Sequence, residues 1–121
     1  MRESDALQSK LRAFIRTLPS AELGHDEMSE EAYFCGRANF VHFHGPRHVD
    51  IRLSLDDQKR ALAEGIARPH MWAPRAGWVS CVLEDGKSLD DARQLVKRAY
   101  DHWDKIASVR RASAVSASGS T

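Results

Sequence analysis

The sequence has little cysteine chemistry to offer: Cys35 and Cys81 stand far apart, with neither CxxC nor zinc-knuckle spacing. That pattern argues against a disulfide-stapled secreted scaffold and against a thiolate zinc site. There is no surplus of either charge, since 18 basic residues face 17 acidic ones. No global field therefore directs the chain to nucleic acid, an anionic membrane or a strongly charged partner, and any binding must come from a local site. No apolar run is long enough to span a bilayer, and the opening MRESDALQSK lacks the apolar stretch of a secretory signal. A cytoplasmic protein with reduced thiols is the expectation. Internal repeats, an H-E-x-x-H pattern, and flavin or nucleotide motifs are also missing.

What is present suffices for one domain: 121 residues can bury an ordinary core without staples. From Asp5 to Leu18, apolar residues recur every three or four positions and Pro19 follows, which predicts an amphipathic helix with a stop. The segment after it reads as polar and turn-like. AYFC and ANFVHF have strand composition, with Gly36 as a bulge or turn between them. SLDDQKRALAEG predicts a helix capped by Ser54 and closed near Gly65, and the same S-x-x-D box at Ser88 and Asp91 opens a last helix. That helix carries the cleanest stripe in the chain, from Leu89 to Ile106, and places Tyr100 and Trp103 in the core. RPHMW and GWVSCVL are strand candidates joined by APRAG, with Trp72 and Trp78 flanking the loop. The small, polar tail predicts a domain over residues 1–107 and disorder over 108–121. The order of elements predicts an α+β fold, a mainly antiparallel sheet with a central β-hairpin and helices packed on one face.

Residues 39–53, NFVHFHGPRHVDIRL, concentrate three of the six histidines. Two alternating runs flank Gly45-Pro46-Arg47 and predict a hairpin. A three-residue loop pairs His44 with His48, Phe43 with Val49, His42 with Asp50 and Val41 with Ile51. A two-residue loop would set Phe43 against His48, and burial rejects it. With the apolar pairs on the core side, His42, His44, His48 and Asp50 share the opposite face.

Three readings of that face are open. The polar groups are solvated or bond one another across strands; H-x-H plus a ligand across the ladder holds zinc with an open position for water; or Asp50 orients an imidazole for acid–base chemistry near neutral pH. Ser80 or Cys81 could face the site as a nucleophile, but adjacent strand residues point to opposite sides, so only one of them can. The apolar surroundings of Cys35 and Cys81 favour inert buried thiols.

HFHG followed by VDI, then EGIARPH, APRAGWVS and SLDDARQLVKRAY, resembles in combination the bacterial luciferase-domain family, a small family without an assigned biochemical role. The resemblance covers residues 39–103 and picks out His42, His44, Gly45, Asp50, Gly65, His70, Pro74, Gly77, Trp78 and Tyr100. His48 departs from the apolar residue usual there. The resemblance therefore implies His42, His44, Asp50 and His70 as the polar set, a candidate zinc site or ligand site, with Trp78 beside it. No light-emitting activity is expected, because cofactor motifs are missing and the chain is too short for a TIM-type barrel.

Two functions follow as expectations. One is a module binding a small polar ligand or a metal ion on the His/Asp face; the other is a small hydrolase-like or isomerase-like acid–base enzyme. Interaction with nucleic acid has only Arg110-Arg111 in its favour and is not expected. A homodimer with its site across the interface is compatible with the sequence.

Overall fold

A computed structural model describes residues 3–24, 31–70 and 76–119. Trp72 and Pro74 lie outside the described residues. The elements are α1 (Glu3–Arg16), β1 (Ala21–Gly24), β2 (Ala32–Cys35), β3 (Ala38–His44), β4 (His48–Arg52), α2 (Leu55–Glu64), β5 (Arg68–Pro69), β6 (Trp78–Val82) and α3 (Gly86–Gly119). The six strands among the described residues form one antiparallel sheet in the order β1-β2-β3-β4-β6-β5, which makes the domain α+β.

The β3/β4 pairing has the register read from the alternation: Val41 faces Ile51, His42 faces Asp50, Phe43 faces Val49 and His44 faces His48. The β2–β3 connection is tight, with Cys35 opposite Ala38 and positive φ at Gly36 alone of the two loop residues. This is the pattern of a type II′ hairpin turn. The register shifts between Tyr33 and Phe34, and the extra residue on β3 lets consecutive Phe40 and Val41 both enter the core, each fully buried.

The core lies between one sheet face and the helices. Tyr33, Val41, Phe43, Val49, Ile51, Val79 and Cys81 meet Leu7, Leu11 and Ile15 of α1 and Leu95, Val96 and Ala99 of α3 in one buried cluster. α3 also holds the end of α1, because the Tyr100 hydroxyl donates to the Pro19 carbonyl. Trp103 packs at the margin and donates its indole N–H to the Arg52 carbonyl at 2.9 Å.

The structure differs from the sequence reading in three places. Residues 21–24, read as turn-like, form the edge strand β1. An edge strand with Glu22 and Leu23 both exposed shows no apolar alternation, so backbone pairing to β2 holds it rather than burial. The last helix begins a turn earlier than the Ser88 box implies. Asp85 Oδ1 accepts from Ser88 N at 2.8 Å while Ser88 Oγ accepts from Asp85 N at 3.0 Å, a reciprocal capping box with Asp85 at the cap. Asp91 instead pairs with Lys87 on the helix surface at 2.7 Å. α3 also continues to Gly119, past the Ser108 boundary at which the composition predicts disorder. No proline or glycine precedes Gly119 in that stretch, and Ala112, Ala114 and Ala117 favour helix. The Ser54 cap and Gly65 closure of α2 stand as read, with Ser54 Oγ accepting from Asp57 N at 3.1 Å and Gly65 at φ 73°. No described helix is long and apolar enough to cross a membrane.

Gly77 fixes where β6 starts. Its carbonyl accepts from Leu53 N at 2.8 Å, its φ is +93°, and a Cβ there would lie 2.0 Å from the Leu53 carbonyl oxygen. A Gly77→Ala variant is a hypothesis test of that contact: backbone strain and overlap together are expected to cost about 3 kcal/mol. Urea unfolding measures it, and a change below about 0.5 kcal/mol would show that the contact relaxes freely.

Candidate functional site

Sheet register lines up a polar row on the face away from the core. Ala32, His42, Asp50, Ser80 and Arg68 are successive cross-strand partners on β2, β3, β4, β6 and β5. One row further along, His44 faces His48, and Trp78 lies on the other side of Ser80. The side-chain period of two makes this the complement of the core pattern: each apolar residue turned inward turns a neighbour to the site.

Asp50 is the centre of this face and is only 6% exposed. Ser80 Oγ donates to its Oδ1 at 2.7 Å. His44 Nε2 lies 2.9 Å and His70 Nε2 lies 3.2 Å from its Oδ2. A carboxylate that deep costs several kcal/mol unless its lone pairs are met, and three side chains from β3, β6 and the segment after β5 meet them. Neutral imidazoles in these positions carry their proton on Nε2. His44 is 35% exposed at its side chain and His70 11%, so one imidazole opens to solvent while the other is enclosed.

His42 lies beside the carboxylate rather than on it. Its ring lies against that of Trp78, tilted by 41° with centroids 4.4 Å apart, and meets His44 edge-on at 5.6 Å. Because β4 lies between β3 and β6, the Trp78 and His42 rings meet across it. Trp78 is buried yet stands outside the core cluster. Ligating atoms of His42, His44 and Asp50 all come within 4.8 Å of one another. His70 reaches the same carboxylate from the side. His48 is exposed at the hairpin end.

Neither cysteine contributes a nucleophile. Cys81 points into the core, opposite in direction to Ser80, and burial first, then the Asp50 and Asp91 carboxylates, push its thiol up to about 12. Burial likewise raises the Cys35 thiol to about 12, with Asp104 adding to the effect. The Ser80 hydroxyl is committed to Asp50, where it orients a carboxylate instead of being activated by an imidazole. Sequence reasoning considered Ser80 only as a nucleophile. Its partner follows from the Asp50–Ser80 pairing, which requires knowing that β6 docks on β4.

A six-stranded antiparallel sheet with helices on one face and a His/Asp cluster on the other defines a small α+β protein. The luciferase-domain family model matches residues 37–99, a little over half the chain, and the chain belongs to that family. The match runs from the β2–β3 turn into α3 and contains every residue of the polar cluster. No curated protein matches the chain with significant similarity.

Two expected outcomes test this geometry. Ser80→Ala removes one of the donors to a buried carboxylate and should lower stability by about 1–3 kcal/mol in urea unfolding; an unchanged midpoint would refute the role of that hydrogen bond. Both thiols should react with a thiol reagent at pH 8 only on unfolding. Their folded pKa of about 12 lies above the ordinary 9.0. The unfolded chain therefore releases these protons first, and the stabilisation present below pH 9 is lost as pH rises towards 12. Rapid labelling of either cysteine in the native protein at pH 8 contradicts this.

Proposed function

We propose that the outer sheet face is a binding site for a first-row divalent metal ion, zinc in the first instance, held by His42, His44 and Asp50. The observation that carries the proposal is the convergence of those three donors to within 4.8 Å. Bond lengths of about 2.0–2.1 Å around a tetrahedral ion place neighbouring donors roughly 3.3 Å apart. The His44–Asp50 contact at 2.9 Å would open slightly and the widest separation would close by up to about 1.5 Å, movements within rotamer reach. The ion would take the place of the proton between His44 Nε2 and Asp50, and a neutral His44 would then carry its proton on Nδ1. Ser80 and His70, both on the Asp50 carboxylate, supply the outer hydrogen bonds that orient a ligating carboxylate.

Two imidazoles and a carboxylate leave a coordination position for water or for a small polar ligand, and the exposed side of His44 is where it would enter. The reading thus joins metal and small-ligand binding at one place. A reducing, cytoplasmic setting belongs to the same proposal and is supported by the two free, buried cysteines.

One observation favours a second reading. His44 is a solvent-open imidazole oriented by a buried carboxylate, which is the arrangement of a general base. With Ser80 committed to Asp50 and Cys81 facing the core, such an enzyme would move a proton or activate water rather than form a covalent intermediate.

Elemental analysis of tag-free protein and a zinc titration followed by histidine NMR test the proposal. Near-stoichiometric zinc is expected, reduced at least a hundredfold in affinity in the His42→Ala/His44→Ala double variant and about tenfold in Ser80→Ala. Histidine resonances that ignore zinc, or equal affinity in the double variant, would sink the metal reading and leave the acid–base one.

A further inference from the structure

A second site lies away from the histidine face. The β2–β3 turn and the C-terminal half of α3 border a cavity of about 420 Å³, within the roughly 300–1,000 Å³ range of small-ligand pockets. Its floor is apolar: Cys35 and Ala107 are buried, and Trp103 and Ile106 are half-buried. The turn comes this close to α3 because Gly36 has no side chain; a Cβ there would lie 3.1 Å from that of Ala107.

Three exposed arginines stand over that floor, Arg37 from the turn and Arg110 and Arg111 from α3. Arg111 is engaged within its own helix, donating to Ser108 Oγ at 3.0 Å and lying 4.0 Å from Asp104 Oδ1. Arg37 and Arg110 have no hydrogen-bond or ion-pair partner among the described residues. The acidic neighbour, Asp104, is thus paired with Arg111. Two guanidinium groups without a counter-charge, on elements from opposite sides of an apolar hollow, match a ligand with an anionic head and an apolar body. Guanidinium is weakly hydrated and its planar fork fits carboxylate and phosphate alike.

We infer that this cavity binds a small amphipathic anion, its apolar body on Cys35, Trp103, Ile106 and Ala107 and its carboxylate or phosphate head on Arg37 and Arg110. The site is independent of the histidine face, and neither depends on the other being right.

The full chain is titrated with decanoate, decyl phosphate and decanol, each below its aggregation range, by calorimetry and by indole N–H resonances. Saturable binding of at least one anion is expected, moving the Trp103 resonance more than that of Trp78. Which anion binds distinguishes an acyl from a phosphate head. Arg37→Gln/Arg110→Gln, both at exposed positions, should weaken it by about tenfold to a hundredfold, whereas His42→Ala/His44→Ala should leave it unchanged. The inference is overturned if neither anion saturates, if decanol binds as tightly as the anions, or if the arginine variant binds normally. Binding to anionic lipid vesicles without binding of the monomeric amphiphiles would also overturn it, in favour of a membrane-surface role.

Discussion

The register of the β3/β4 hairpin is the constraint on which the rest of the molecule depends. Gly45-Pro46-Arg47 forms a loop of three residues, and this odd number sends Val41, Phe43, Val49 and Ile51 inward together. Two contacts hold the loop from outside the hairpin. Gln8 on α1 donates to the Gly45 carbonyl at 2.7 Å, and Leu83 N donates to the Arg47 carbonyl at 2.8 Å. A slip by one residue would turn one strand's apolar pair into water and bury its polar pair, either His42 and His44 or His48 and Asp50, so core and polar face stand or fall together.

Burial of Asp50 on the face opposite the core is the costly element of the design. Its partners are polar: Ser80, His44 and His70 satisfy the carboxylate, and the His42 and Trp78 rings pack against each other on the same face. A buried ion among hydrogen-bond donors contributes less to net stability than an apolar side chain of similar size in the same space. The thiols show the contrasting case, where burial without partners leaves Cys35 and Cys81 protonated and inert.

Much of this was legible in the sequence, and the limits have physical causes. Alternation with a period of two fixed the hairpin register, because only one loop length kept both apolar sets on one side. β1 carried no such signal, since an edge strand with both middle residues exposed need not alternate. The start of α3 was read one turn late because serine and aspartate cap helices equally well, and D-x-x-S at Asp85 competes with S-x-x-D at Ser88. The pairing of His42 with Asp50 followed from local sequence, whereas the contact of His70 and Ser80 with Asp50 depends on how residues far along the chain return to β4. Local pattern determines a strand's faces; it does not determine which strand arrives beside it.

The return to β4 has one more consequence. Leu53 N meets the Gly77 carbonyl where β4 ends and β6 begins, so the excursion between them, which carries α2 and the edge strand β5, starts and ends at nearly the same point. Such an excursion can change in length or content at small entropic cost, because closing its ends is already accomplished by the sheet. His42, His44, Asp50, Ser80 and Trp78 belong to the permanent frame, while His70 rides on the excursion. Related chains could therefore retain the frame and exchange the visiting residue, altering what the site accepts without rebuilding the protein that holds it.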